Sequence, residues 1–423
     1  MKILHYTLGF APYRSGGLVK YATDLMKEQR RKKNQVFALY PGQINILKKH
    51  AYIKKSRNKI VESYQIINSL PLPLFGGIKT PKDFMTTTSK KIYIDFLKSI
   101  NPDVIHIHTL MGIHKEFFDV AIEMNIPIIF TSHDYFGLAP EPTFFFEGYS
   151  YDKTNTVNDW IKASKNSWTT NKLRLFQSRY YLLFKNIFNR IKKGNKNIRH
   201  INDRDFDYQI NEYYDLKNYY KSIFSKITIF HFNSTLAKEI YIRNLRTIKQ
   251  YRVITITNSQ IRNRNNHKRN TKIKKIAYIG PDKEFKGFYE FIELAKIFKN
   301  NKKFEFHTYG YYPKNNIDNI IQNGKYSFND LDYLYENIDL LIVPSKWKET
   351  FGMITIEALS YGTEVYISEN VGSKELIDRS NWFTDVNDLA NKILSNRSYD
   401  NKKTEIKNID FHEKEIMDLY LEK

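Results

Sequence analysis

The chain has 423 residues, 41% hydrophobic and 26% charged, a folded composition long enough for two α/β domains rather than one core. It has no cysteine, which excludes disulfides and thiolate metal sites. No apolar run reaches the length of a signal peptide or a membrane span, so a cytoplasmic location is expected. Taken with those exclusions, a net charge of +22 predicts a partner carrying phosphate, whether nucleotide, nucleic acid or anionic lipid, without choosing among them.

Short β-rich runs alternate with helix-length segments, the pattern of a parallel-sheet α/β protein. In the first half, strands are predicted over 2–8, 35–40, 103–108, 126–131, 226–232 and 251–257, with amphipathic helices over 18–31 and 115–124 among the connections. Residues 160–199 break the alternation. They hold eleven Lys and Arg and no acid, and Leu173, Phe176, Tyr180, Leu183, Phe184, Ile187 and Ile191 recur at helical spacing. That segment reads as a basic amphipathic insertion whose stripe faces either an anionic membrane surface or the domain core. The pattern stops near Asn258, and the polar, basic stretch that follows reads as a linker. A second series has strands over 274–280, 304–309, 338–344 and 365–368, helices over 287–300, 330–337 and 354–361, and a last amphipathic helix over 410–422. The expected division is a first domain over 1–258 with its insertion near 160–200, a linker over 259–273, a second domain over 274–404 and a closing helix within 405–423.

The strongest chemical signal is PSKWKETFGMITIEALSYG, residues 344–362, where an apolar strand ends in a polar loop and a helix follows. Ligands of open α/β sheets sit beyond the carboxyl ends of strands, where helix N-termini aim N–H groups at anions. Glu349 in the loop and Glu357 in the helix are placed to receive hydroxyls while nearby amides hold phosphate. Gly16 and Gly17 after the first strand let backbone approach a phosphate or sugar closely. Lys286 offers a positive charge, and His133 follows a buried strand. Taken singly, each has a plain structural explanation: a solvated glutamate, a tight turn, an exposed lysine, a packed histidine.

As an ordered set they resemble glycosyltransferase family 4, retaining enzymes of the GT-B fold. Glu349-x7-Glu357 in ETFGMITIEALSYG is similar to that family's signature, with Phe351 and Gly352 between the two acids. Gly16-Gly17 stands where the family has its glycine loop, His133 in FTSHDYFG where it has its active-site histidine, and Asn258 where it has Asn-Gly. Lys286-Gly287 after YIGPDKEF resembles its Gly-Arg…Lys-Gly phosphate loop. Two departures stand out. Pro281 replaces the arginine, leaving Lys283 and Lys346 as candidates for the missing charge, and Ser259 replaces a glycine with little expected effect.

The resemblance implies two Rossmann-like domains facing each other across a cleft, with the last helix returning to the first domain. It implies a metal-independent, retaining hexosyltransferase whose donor is a nucleotide diphosphate-sugar and which needs no cofactor. Glu349, His133 and Lys286 would act at the reacting centre. Gly16, Gly17, Lys283, Lys346, Phe351, Gly352 and Glu357 would bind the donor, Glu357 at the ribose. LHYTLGF…SGGLVKYATDLMKEQ and TSHDYFGLAP are further similar to enzymes of capsule and exopolysaccharide assembly, some of them rhamnosyltransferases, which implies a saccharide acceptor, lipid-diphosphate-linked. No metal is expected. Asp203-x-Asp205-x-Asp207 imitates a metal-binding DxD but lies in a charged, Asn-rich stretch rather than at a strand end. Two rivals remain: a catalytically silent GT-B partner subunit, favoured by Pro281, and a nucleic-acid-binding basic protein, for which the chain offers no recognisable module.

Overall fold

Two sheets organise the chain. A computed structural model describes residues 1–422 apart from 46, 49, 74–75, 178–202, 263, 265–272 and 396–405, with backbone alone at 176, 203–208 and 328. The first sheet takes its strands from the first half: β1 (Lys2–Tyr6), β2 (Gln35–Pro41), β3 (Tyr52–Ser56), β4 (Glu62–Ile67), β5 (Val104–Ile107) and β6 (Ile128–Thr131). After a small hairpin of β7 (Phe145–Phe146) and β8 (Tyr149–Ser150), it continues with β9 (Ile229–Phe232) and β10 (Tyr251–Val253). The spatial order is β10-β9-β6-β5-β1-β2-β4-β3, parallel throughout except that β3 runs antiparallel to β4. β5, β6 and β9 are buried at every position, which is why they read as unbroken apolar runs: helices cover both faces of a parallel sheet.

The second sheet is wholly parallel, in the order β13-β12-β11-β14-β15-β16, from β11 (Lys274–Ile279), β12 (Phe304–Tyr309), β13 (Ile321–Gln322), β14 (Leu340–Val343), β15 (Glu364–Ser368) and β16 (Trp382–Phe383). In each sheet the order reverses beside the first strand. β1 lies between β2 and β5, and β11 between β12 and β14. A crevice opens at such a switch point, beyond the strand ends.

The first helix, Gly17–Arg31, buries Val19, Tyr21, Ala22, Leu25 and Met26, and Arg30 and Arg31 in its last turn complement its dipole. The last helix, Ile409–Leu421, starts on an Asn408 cap and lies along the first. Tyr21 Oη meets His412 Nε2 at 2.8 Å, Lys32 pairs with buried Glu413 at 2.8 Å, and Arg31 with Asp410 at 2.8 Å. The chain thus crosses back to its first domain, as the resemblance implies.

The structure adds β3, β4 and the helices Lys90–Ile100 and Val386–Leu394 to the elements legible in the sequence. Asp203 to Asp207 open the long helix Asp203–Phe224, so this backbone is helical and not a strand end. Leu173 is buried in the first-domain core, so at that residue the stripe of the basic insertion faces inward. Tyr180, Leu183, Phe184, Ile187 and Ile191 lie outside the described residues, as does most of the expected linker. Among the described residues, no helix is long and apolar enough to cross a membrane.

Candidate active site

A cleft of about 830 Å³ lies where the two switch points face each other. Its walls are the loops that follow β1 and β6 on one side and β11 and β14 on the other.

On the first-domain wall, Gly16 is the N-cap of the first helix at φ +119°, with open space where a Cβ would stand. No side chain caps this helix and no acid occupies its first turn, so its leading N–H groups are available to an anion. Arg14, Lys20 and Lys27 line the same wall. Lys20 pairs with Asp24 at 2.8 Å, and Asp24 also accepts from Ser259 N and Oγ at 3.0 and 2.9 Å. Ser259, expected to matter little, therefore uses its hydroxyl to tie the end of the first domain to the first helix. His133 lines the cleft beyond β6. Its carbonyl accepts from Thr350 Oγ1 of the opposite domain at 2.9 Å, and burial pushes its imidazole down to about 3.

On the second-domain wall, Gly287 (φ +77°) presses so close to the end of β14 that a Cβ there would lie 1.8 Å from the Pro344 carbonyl oxygen. That approach docks the β11 loop on the β14 loop, where Lys346 N and Trp347 N donate to Phe285 O at 3.0 and 3.2 Å. It also brings Lys286 Nζ to 2.7 Å from Glu349 Oε1 and 5.1 Å from the centre of the Trp347 ring. Ser345 Oγ donates to the other Glu349 oxygen at 2.7 Å. Gly352 caps the helix Met353–Ser360, which also lacks a side-chain cap and a first-turn acid. One turn into that helix Glu357 reaches the cleft and accepts from Asn258 Nδ2 at 3.4 Å, and burial lifts its carboxyl to about 7.

Eight of the ten residues picked out in the sequence line this cleft: Gly16, Gly17, His133, Lys286, Glu349, Phe351, Gly352 and Glu357. Phe351 does so while buried, as a member of the apolar cluster that also holds Tyr21, Ile416 and Tyr420. Lys283 and Lys346 do not line it. Lys283 is exposed before the turn, and Lys346 Nζ is held by Glu284 and Glu290 at 3.3 and 3.2 Å. Pro281, which replaces the arginine, does line the cleft. Cations at the wall come instead from Arg14, Lys20 and Lys27. The sequence reading missed Lys20 and Lys27 because charge on an amphipathic helix looks like an ordinary solvated face, and Arg14 because it lies in the loop before that helix. It also missed Tyr326, whose ring borders the cleft beside Glu357, because it sits in a loop with no pattern.

Comparison with known proteins matches the same two halves. Residues 15–191 fit the family described as Glycosyltransferase Family 4, and residues 259–407 the family described as Glycosyl transferases group 1. A protein of the cps region of Klebsiella pneumoniae, described as an uncharacterized 42.6 kDa protein, is 22% identical over 341 residues, covering 78% of this chain and 74% of its own. Among solved structures, sucrose-phosphate synthase from Thermosynechococcus elongatus aligns over 100% of this chain and 99% of its own, at a TM-score of 0.57 and 13% identity. The Anabaena HepE protein in complex with UDP and glucose aligns over 99% of both chains, at 0.52 and 14%. Starch Synthase IV from Arabidopsis thaliana, bound to ADP and acarbose, aligns over 99% and 98%, at 0.54 and 13%. These structures share the two-domain GT-B architecture, and the two family matches fall in order on the two walls of the cleft. The chain belongs to the family 4 glycosyltransferases of GT-B fold.

Proposed function

We propose that this glycosyltransferase moves a sugar from a nucleotide diphosphate-sugar to a saccharide acceptor with retention of configuration and without a metal. The observation that carries the reading is the pair of uncapped helix N-termini, at Gly16 and Gly352, that open on one cleft beside Lys286, Glu349 and Glu357. Such termini favour a diphosphate placed between them. The nucleotides in the Anabaena and Arabidopsis complexes support a nucleotide-bearing donor.

Lys286 turns from Glu349 to the diphosphate when the donor binds, which releases Glu349 to the sugar hydroxyls. Glu357 takes the ribose, and Arg14 and Lys20 supply the charge that Pro281 does not. Among the described residues, the carboxylates lining the cleft are Asp24, Glu349 and Glu357. Asp24 is held by Lys20 and Ser259, and the other two have donor-binding roles, which leaves no nucleophile for a covalent intermediate. The bond from the anomeric carbon to the diphosphate therefore breaks as the acceptor oxygen bonds on the same face, and the acceptor proton passes to the departing phosphate oxygen. Stabilising the charge on that leaving group is the main catalytic task.

The cps-region relative supports an acceptor in capsular or exopolysaccharide assembly, with a lipid-diphosphate-linked saccharide as the form and rhamnose among the candidate sugars. The basic segment 172–193 would hold the enzyme at the inner membrane face, a reading that rests on its charge. A panel of UDP-, dTDP-, GDP- and ADP-sugars tests the reading by donor turnover with and without chelator. Turnover of one donor that survives chelator supports it. No turnover of any donor, with no nucleotide bound, leaves the silent-subunit reading, and loss in chelator restored by manganese refutes the metal-free mechanism.

A further inference from the structure

Behind the cleft, a line of buried side chains crosses the first sheet, from His133 to the backbone of the segment after β10. His133 Nε2 meets His108 Nδ1 at 3.2 Å, and His108 Nε2 meets His5 Nδ1 at 2.9 Å. His5 Nε2 meets Gln29 Oε1 at 2.7 Å, and Gln29 Nε2 meets Tyr420 Oη at 3.3 Å. Tyr420 Oη meets His106 Nδ1 at 2.6 Å, His106 Nε2 meets Thr131 Oγ1 at 2.6 Å, and Thr131 Oγ1 meets His231 Nδ1 at 2.8 Å. His231 Nε2 ends the line on the Ile254 carbonyl oxygen at 2.8 Å.

A carbonyl can only accept, so the proton on His231 is on Nε2. Its Nδ1 then accepts from Thr131, whose oxygen must in turn accept from His106 Nε2–H. His106 Nδ1 accordingly accepts from Tyr420, and Tyr420 accepts from the Gln29 amide, whose oxygen faces His5 Nε2–H. The same step repeated gives His108 Nε2–H and His133 Nε2–H. Every link has one permitted direction: a second proton on His5 or His108 would set N–H against N–H, and one on His106 or His231 would set N–H against O–H, while at His133 it is burial that keeps a second proton off. Burial works the same way, holding His5 down to about 4 and His231 down to about 3, with His106 and His108 well below the ordinary imidazole value.

We infer that this one-way chain fixes His133 as the neutral Nε2–H tautomer, so that Nδ1 is a bare acceptor, and that His108, His5, Gln29 and Tyr420 are positioning residues acting through it. His133 Nδ1 has no partner among the described residues. A ligand group meeting it must donate, as a hydroxyl does, and a phosphate oxygen is turned away. The inference rests on the cleft being the reaction site for its functional meaning, though the tautomer itself does not. His5, His106 and His108 are close enough to suggest a metal triad, with ligand atoms within 4.8 Å of one another. All six of their nitrogens are committed to the hydrogen bonds above, and a metal would have to break several of them.

Long-range ¹H–¹⁵N correlation on protein labelled with ¹⁵N-histidine reads each tautomer directly, and His133→Gln assigns the His133 signals. The expected result is the Nε2–H pattern at His133 in the wild type. Gln29→Leu removes the acceptor for His5 and lets the line reverse, so His133 should lose that pattern and turnover should fall roughly tenfold, the worth of one hydrogen bond. Gln29→Glu keeps the acceptor for His5, though not the donor to Tyr420, and should restore the His133 pattern. A wild-type His133 protonated on Nδ1, an unchanged tautomer in folded Gln29→Leu, or stoichiometric metal in the purified protein would each overturn the inference. The wild-type spectrum decides even if the leucine variant does not fold. It does so without an activity assay, so failure here is separable from failure of the glycosyltransferase reading.

Discussion

Lys286 and Glu349 hold each other at 2.7 Å, and each is partly shielded from water. Lys286→Ala and Glu349→Gln are each expected to lower kcat/KM roughly 10²-fold, the scale of one preorganised polar contact. Because donor binding breaks their ion pair, each single loss is offset in part by the release of the partner, so the double variant should lose more than the product of the two, and a double-mutant cycle on kcat/KM measures this. Strict additivity would mean that the pair does not act as a unit. Glu357 carries a pH signature. Burial raises its carboxyl to about 7 in the folded chain, above its ordinary 4.5, so the folded state prefers the protonated form. The stability this confers is complete at low pH and is lost as pH rises through about 7. Glu357→Gln does not titrate, so its melting temperature should gain on the wild type from pH 5 to pH 8; a constant difference across that range would refute the shift. The Glu349-x7-Glu357 spacing made both acids legible in the sequence. What hid Lys346's true partners was the turn at Gly287, which brings Glu284 and Glu290 against it.

Among the elements, strands with buried flanks on both faces were plain in the sequence, since four to six apolar residues between turn signals leave little choice. Those at the sheet margin were not. Tyr52–Ser56 (YIKKS) has exposed lysines at two of five positions, so its hydrophobic pattern is that of a loop. Lys90–Ile100 (KKIYIDFLKSI) starts with alternating apolar residues that mimic a strand, and only Tyr93, Phe96, Leu97 and Ile100 mark the helical face. The last helix was legible, but its docking partner followed only from the family resemblance. Its anchor is Glu413, buried against Lys32, which is itself part-exposed and shared with Asp410. Glu413→Ala should therefore cost about 1–2 kcal/mol in urea unfolding, less than a fully buried pair would, while turnover per folded molecule is kept. A change below about 0.5 kcal/mol would show that apolar packing alone secures this helix.

At the scale of the whole molecule, the charge of +22 acts on every anionic surface the chain meets. Binding to vesicles should rise with anionic lipid content and fall with ionic strength, and replacing Arg174, Arg179, Lys185 and Arg190 by Gln should weaken it while donor affinity is unchanged. Binding indifferent to lipid charge would remove the membrane role. The cleft is built from both domains, so a ligand there clamps them together. A nucleoside diphosphate at about a hundred times its Kd should stabilise the chain by about 2.7 kcal/mol, read as a shift in thermal unfolding. The returning helix also sets an order of events during synthesis. A domain begun at residue 2 receives Tyr420 only after the entire second domain has been made, roughly 8–30 s of translation later. Through that interval Tyr21 and Leu25 lack their cover, and His106 lacks the hydroxyl it hydrogen-bonds. The nascent first domain thus waits, open on one face, for a segment made after the second domain, and a ribosome stalled near residue 400 should carry it in a protease-sensitive form.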